Sequence, residues 1–529
     1  MKSTAIQRRL KTRVALGVCA LALASCGGGG GGDGADPATV AAIAAATAAA
    51  AAAGGTPSPS VSPPPAPPPS VEPPPPVPPP AIQAKCAMDT TVAASYEEQR
   101  LPNKLSSSDA LSFSQQLLQA SGFDKFGPDF AVKLCSNGLA GASSYDDTVT
   151  LLRAEGQKLW QAALDRVQGR VVQGTLSKSD DRMLYWARLT MTLALRQWKP
   201  DFPLTDDQRA ALQNEFERAS RGQYAIDFPE GPKYKRILVS GFDPFTLGTP
   251  GFDGNPNIRI GNPSGATILS LDGTTVALAD GSTAVIRTFI LPVNYGPFIQ
   301  GMQEDTLGPW FKPGAKRVDA SVSMSQGSYE FDLEHFNGRY HLASIPGNDN
   351  VWPACSEAGS FPSALDCDIH PPERWLGYAS KPWVKESPAQ FIASTLPFQQ
   401  MIDAKTGAGI INRDTNTTGG WNVVRRDTYT VRDCNKNALG PFEKNCASTG
   451  GGGNYLSNAS AYRNTLLRDT FKLQIPAGHI HTPIMTYFGT GSDGKITDAT
   501  FEGYRDSIVA QARNLVIALA TSLTTSASL

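Results

Sequence analysis

The sequence predicts an α/β protein: an open, twisted, mostly parallel sheet flanked by helices and preceded by a small all-α domain. Three observations carry this. Residues 231–529 alternate short β-rich runs with helix-period stripes, the texture of strands joined by crossover helices. Residues 84–230 show helix-period stripes alone. The excess of Pro and Gly falls largely ahead of both: 15 of the 41 prolines lie between Pro57 and Pro80, and six glycines run from Gly27 to Gly32.

The chain opens as an address. Lys2, Arg8, Arg9, Lys11 and Arg13 precede an 11-residue apolar run, Val14 to Ala24, too short to span a bilayer and suited to a signal-peptide core. It ends Leu23-Ala24-Ser25-Cys26, which resembles a bacterial lipobox. That implies removal of residues 1–25, acylation of Cys26 and anchoring at the cell envelope, on its periplasmic or surface face. An ordinary secretory signal with an incidental Cys is the plainer alternative. Residues 26–83 then read as the lipidated Cys and a Gly/Ala/Pro-rich tether, its proline part an extended spacer.

Charge and cysteines narrow the class. Lys plus Arg total 47 against 48 Asp plus Glu, and without the leader's cations the balance turns acidic. Nucleic-acid binding, which needs a clustered basic surface, is excluded. Beyond Cys26 the mature chain has six cysteines, an even count that suits disulfides in an exported protein. Cys355 with Cys367, and Cys434 with Cys446, are each 12 apart and would close local loops; Cys86 and Cys135 remain as the third pair. No CxxC or HxxxH spacing supports a metal, and no cofactor is expected.

The domain boundary falls near residue 230. Before it, Leu117 and Leu118, then Val149 to Val167, then Met183 to Trp198 are core stripes, and Thr205 to Gln208 reads as a capping box. Nothing there suggests chemistry. After it, Ile237 to Ser240, Val285 to Val293 and Arg317 to Met324 read as strands, and 388–403, 458–468 and 498–521 as helices. All five histidines (His335, His341, His370, His479 and His481) lie in this second part. Gly450 to Gly453 reads as a loop, followed by a short strand and a helix starting near Ser457. A hydroxyl there would sit beside free backbone N–H groups able to hold an oxyanion. Ile480 to Pro483 reads as a strand end presenting His481.

These residues carry a resemblance. Ile237-Leu238-Val239-Ser240-Gly241-Phe242-Asp243-Pro244-Phe245 resembles the opening motif of pyroglutamyl peptidase I. Asn262-Pro263-Ser264, Leu291-Pro292-Val293, Ala343-Ser344-Ile345-Pro346, Ser394 to Pro397, Tyr455 to Asn458 with Tyr462-Arg463, and Gly478 to Pro483 match later blocks in order. The resemblance implies that family's fold and removal of an N-terminal pyroglutamyl residue by a nucleophile–His–Glu triad. By position, His481 is the base, Ser457 stands where the family has Cys, and Glu334 is the orienting acid, with Glu330 as fallback. Phe242 and Phe245 would sandwich the lactam ring, helped by Tyr455 and Leu456; Asn262 and Gln326 would contact the substrate, and the Asn458 N–H would serve the oxyanion hole.

The chain also departs from the family. Ala459 replaces a His, Thr246-Leu247 replace two glycines, and cysteine-bearing insertions near 347–385 and 405–450 would sit close to the expected cleft. A serine hydroxyl does not ionise readily, so Ser457 would need His481 to take its proton during attack. Two functional readings follow: an envelope-anchored hydrolase acting on an N-terminal cyclic residue through Ser457, His481 and Glu334, or an inactive relative that binds N-terminal or cell-wall peptides. The partners implied are a peptide and, through Cys26, a membrane.

Overall fold

The computed structural model describes residues 87–136, 141–339, 345–351, 389–404, 420–433 and 445–524. The expectations for the leader, Cys26, the tether, Cys86, Cys355, Cys367, Cys434, His341 and His370 lie outside them, as does the side chain of Cys446. Cys135 is disulfide-bonded.

Five main helices form the first part: α1 (Phe113–Ser121), α2 (Phe126–Leu134), α3 (Tyr145–Val167), α4 (Arg182–Gln197) and α5 (Asp206–Ala219). Their starts are chemically marked. Ser112 and Thr205 each close a capping box, with Gln115 and Gln208 respectively, and Ser144 caps α3 by accepting from Asp147 N–H. Helix α4 is buried on nearly every side, as a helix must be when other elements surround it.

The second part is built on a seven-stranded mixed sheet. Its strands are β1 (Tyr234–Phe242), β2 (Thr275–Ala277), β3 (Thr283–Leu291), β4 (Ala320–Ser328), β5 (Phe331–Glu334), β6 (Val423–Arg426) and β7 (Ala477–Pro483), in the spatial order β6-β5-β7-β4-β1-β3-β2. Pairing is parallel except between β5 and β7 and between β2 and β3. Strand β7 is buried along its whole length, and β1 from Arg236 onward, which explains the near-continuous apolar runs of the sequence. Helices α6 (Pro263–Leu271), α7 (Met302–Phe311), α8 (Leu456–Thr470) and α9 (Ala499–Ser522) flank it.

Some expectations fail locally. Of the helix expected over 388–403, only Phe398–Asp403 forms, and Phe391–Ala393 instead pairs as a strand with Phe336–Gly338. Pro397 accounts for this, because the residue before a proline is driven away from helical geometry. The short strand expected after the glycine loop is absent. A tight turn closed by Gly450 N–H donating to Gly453 O (2.8 Å) leads straight into α8, and the strand, Asn445–Thr449, precedes it. The third strand starts at Ala320 rather than Arg317.

The helical and sheet parts share one apolar cluster, from Phe113, Trp160 and Trp186 through Ile237 and Val322 to Leu515, and all described residues fall in one compact unit. A buried ion cluster ties them as well. Asp180 accepts from Arg182 Nε (2.9 Å) and Nη2 (2.6 Å), and Arg505 of α9 lies 3.3 Å away, all three without exposed side-chain surface. Burial opposes the Asp180 charge, but the two guanidinium groups hold its carboxyl well below the usual range. Asp180→Asn should therefore cost about 3–5 kcal/mol, the scale for unpairing buried charges, read as a lowered urea midpoint; an unchanged midpoint would show that the cluster does not bind α9 to the helical part.

Candidate active site

The carboxyl ends of β1, β4 and β7 converge, the usual place for functional groups in such sheets. Strand β7 presents His479 and His481 on one face, two residues apart. His479 is a core residue: its Nδ1 pairs with Ser323 Oγ (2.6 Å) and its Nε2 with Ser325 Oγ (2.8 Å), serines that stand opposite His479 and His481 on β4. Burial, with His481 beside it, holds His479 well below the ordinary imidazole value, hence neutral.

His481 has a different neighbour. Its Nδ1 lies 2.6 Å from Glu334 Oε1, brought there by β5 running antiparallel to β7, with Glu334 level with His479. The approach is an ion-pair distance without the alignment of a hydrogen bond, and neither Glu334 oxygen has an aligned donor among the described residues. Burial pushes the Glu334 carboxyl up. Burial also works against the imidazolium, but the Glu334 charge outweighs it and raises His481. The fallback acid, Glu330, bonds Arg426 Nη2 (3.1 Å), as does Asp332 (2.8 Å). His335 pairs with Asp427 (2.8 Å) away from this pair.

The glycine loop has a steric purpose. A Cβ on Gly452 would stand 2.5 Å from Glu334 Oε2, and one on Gly451 would stand 3.0 Å from Glu334 Cβ. The loop is the lid over the carboxylate. On the other side, a Cβ on Gly327 would come within 2.9 Å of His481 Nε2.

Helix α8 brings Ser457 to the same level. Asn464 fixes its lie on the sheet: Nδ2 donates to the carbonyls of Ser321 (3.1 Å) and Gly478 (3.2 Å), and Oδ1 accepts from Ser321 Oγ (2.7 Å). Further along α8, Arg468 reaches Thr395 (2.8 Å), whose hydroxyl accepts from Ala477 N–H at the start of β7, so helix and strand run in opposite directions. Ser457 lies two turns before Asn464 on the same helix face, about 10.5 Å along the axis. His481 lies three residues beyond Gly478, about 10 Å along the strand. These lengths put both residues toward the carboxyl end of the sheet. His481 Nε2 is buried and has no hydrogen-bond partner among the described residues, so no bond to the Ser457 hydroxyl is made. Ser457 is the second residue of α8; Tyr455 occupies the N-cap and gives no side-chain cap, leaving the opening amides to other acceptors. Asn458 anchors this turn, its Oδ1 accepting from Gly338 N–H (2.9 Å) and its Nδ2 donating to Gly338 O (2.7 Å).

The expected substrate residues separate into three groups. Phe245 and Tyr455 form a partly open aromatic pair, centroids 6.3 Å apart, with Tyr295 edge-on to Tyr455 (5.7 Å). Phe242, stacked on Phe298, and Leu456 are buried in the core beneath. Asn262 and Gln326 are occupied. Asn262 Oδ1 accepts from Ser264 N–H (3.1 Å) and its Nδ2 donates to Asp243 O (2.9 Å); Gln326 Oε1 accepts from Met485 N–H (3.1 Å) and its Nε2 approaches Gly261 O (3.4 Å). Both are loop ties. Thr246, where the resembling family has glycine, keeps a glycine-like φ of 60°, a costly state for a β-branched residue. Sequence reading missed the cations around Asp243: Arg188 of α4 and Arg221 both grip its carboxylate, and an Arg inside an otherwise apolar helix was the available signal.

Comparison with known proteins gives the following. Residues 236–486 match the family model described as PA0049, C-terminal domain, and residues 79–217 that of the PA0049 N-terminal domain. The uncharacterized protein PA0049 of Pseudomonas aeruginosa is 45% identical over 506 residues, 83% of this chain and 91% of that protein. Among solved structures, a mutant pyrrolidone carboxyl peptidase from the hyperthermophile Pyrococcus furiosus is 18% identical, over 54% of this chain and 99% of that one, with a TM-score of 0.30. Pyroglutamyl peptidase I from Bacillus amyloliquefaciens is 16% identical, over 54% and 96%, also at 0.30. Likenesses at that TM-score carry no weight for function; the residues of the site do.

The lid has a direct consequence. Gly452→Ala should lower stability by about 1–3 kcal/mol, because the added methyl meets a buried carboxylate. Gly296→Ala, whose Cβ would meet nothing within 4 Å, should stay within about 1 kcal/mol of the parent. Equal urea midpoints for the two variants would contradict the close fit over Glu334.

Proposed function

The chain belongs to the PA0049 family, and we propose that it is a serine hydrolase acting on an N-terminal pyroglutamyl residue or a related cyclic amide, held at the cell envelope through lipidated Cys26. One observation carries the chemistry: a buried imidazole with a carboxylate 2.6 Å from Nδ1 and an unpartnered Nε2; helix and strand geometry would bring the Ser457 hydroxyl to the same end of the sheet. The ordered motifs support the substrate class. The tether and Cys26 motif support the location, and no described helix is long and apolar enough to cross a membrane. The proposed organisation is a signal peptide (1–25), the lipidated tether (26–83), a helical region (84–230) and the sheet region (231–529).

The residues would act as follows. Glu334 holds His481 with Nε2 toward Ser457 and stabilises the imidazolium formed when Nε2 takes the hydroxyl proton. Ser457 Oγ attacks the amide carbonyl, and the amides opening α8 receive the oxyanion, helped by the helix dipole. His481 returns the proton to the departing amine, and water then cleaves the acyl-enzyme by the same proton route. Phe245 and Tyr455 offer an apolar slot for the ring.

A second reading, a binder without turnover, draws on the unmade Ser457–His481 hydrogen bond, although such bonds are often long before substrate arrives. Purified protein should release fluorophore from a pyroglutamyl aminocoumarin amide, and Ser457→Ala or His481→Ala should abolish release. Binding of the amide with no turnover would select the second reading. For the active enzyme, the rate should rise with pH through a value above the ordinary imidazole value of about 6.5, since only neutral His481 accepts a proton and Glu334 raises it. Glu334→Gln should lower the rate about 10²–10⁴-fold and move that limb to lower pH, because burial alone depresses the imidazole. A limb unmoved by the substitution would contradict the pairing.

A further inference from the structure

The helical region contributes none of Ser457, His481 and Glu334, yet it supplies the charges that hold the aromatic loop. Asp243 lies between Phe242 and Phe245, and every polar group it has is engaged. Its N–H donates to Leu291 O (3.1 Å), and its carbonyl accepts from Asn262 (2.9 Å). Arg188 of α4 bonds Oδ1, while Arg221, just past α5, meets Oδ2 at 2.8 Å; the carboxylate is 2% exposed and the two guanidinium groups 1% and 4%. Glu217 of α5 pairs with Arg221 and stands 3.7 Å from Arg188, so both guanidinium groups also face a carboxylate of the helical region. Arg221 is also fixed through its backbone, its carbonyl accepting from Ile290 N–H on β3 (2.9 Å).

A second grip lies one loop away. Arg100 donates to the carbonyls of Gly248 and Asn348 (both 2.8 Å), and Asn103 donates to Thr249 O (2.9 Å) while accepting from Gly251 N–H (2.8 Å). Asn348 in turn donates to Pro244 O (2.7 Å). The loop bearing Phe245 and the strained Thr246 is thus held at both ends by side chains from before residue 222.

We infer that Arg188 and Arg221 are positioning residues of the candidate site: through Asp243 they set where Phe242 and Phe245 stand, which makes the helical region part of the pocket rather than an appendage. An arginine is suited to this, because its fixed fork holds a carboxylate in one orientation. Small displacements of such a loop are enough to cost binding. The kinetic readout rests on the proposed hydrolase, whereas the structural one does not.

The experiment uses the full chain without its leader and tether-anchoring lipid, comparing the parent with Asp243→Asn and Arg188→Lys after urea melts confirm that each is folded. Amide exchange across 242–251 should speed up about tenfold or more in Asp243→Asn, while β4 and β7 keep the parent's protection. KM for the pyroglutamyl amide should rise about tenfold with kcat changed far less. Arg188→Lys, which keeps the charge and loses the fork, should move both readouts the same way to a smaller extent. A folded Asp243→Asn with the parent's exchange and KM would overturn the inference, as would a fall in kcat with KM unmoved. If the parent turns nothing over, the proposed activity fails, and exchange across 242–251 still decides this point. If Asp243→Asn does not fold, Arg188→Lys decides it.

Discussion

Glu334 and His481 meet 2.6 Å apart where the carboxylate has no exposed surface, and much of the sheet region can be understood as the means of keeping them there. A lone charge in such a place would be prohibitively costly, so the pair must be made together and kept dry. The antiparallel β5 brings Glu334 beside β7. Gly451 and Gly452 close over it without side chains that would collide. His479, neutral between two serines, fills the adjoining space without adding a second charge. The two groups thus face each other, with His481 Nε2 left free of any partner among the described residues.

The aromatic loop obeys a related constraint. At position 246 a β-branched Thr sits at a positive φ, so outside contacts must hold the turn there. They come from the helical region, through Arg188 and Arg221 on Asp243 and through Arg100 and Asn103 on the following turn. The shared apolar core and the Asp180 cluster with Arg182 and Arg505 make the two parts mechanically one. Removing either would leave buried charges without partners.

The sequence made some of this legible and hid the rest for identifiable reasons. The capping box at Thr205, the β-rich run at Ile237 and the apolar stripe of α9 are local patterns, and the elements formed where those patterns lay. The helix expected across 388–403 is cut short by Pro397, which breaks the helical geometry that the apolar stripe suggests. Glu334 could be ranked above Glu330 only by position in a motif; the choice is physical only once β5 is seen to pair with β7. The roles of Asn262 and Gln326 were not readable at all, since an amide that ties two loops and one that awaits a ligand look alike in sequence. Arg188 and Asp243 are 55 positions apart, and nothing local joins them.

In the proposed mechanism His481, oriented by Glu334, activates the Ser457 hydroxyl. Its most direct test is reaction of the folded protein with a fluorophosphonate, followed by peptide mass spectrometry to locate the adduct. A single adduct on Ser457 is expected in the parent and none in His481→Ala. An unlabelled parent, or equal labelling in His481→Ala, would contradict it.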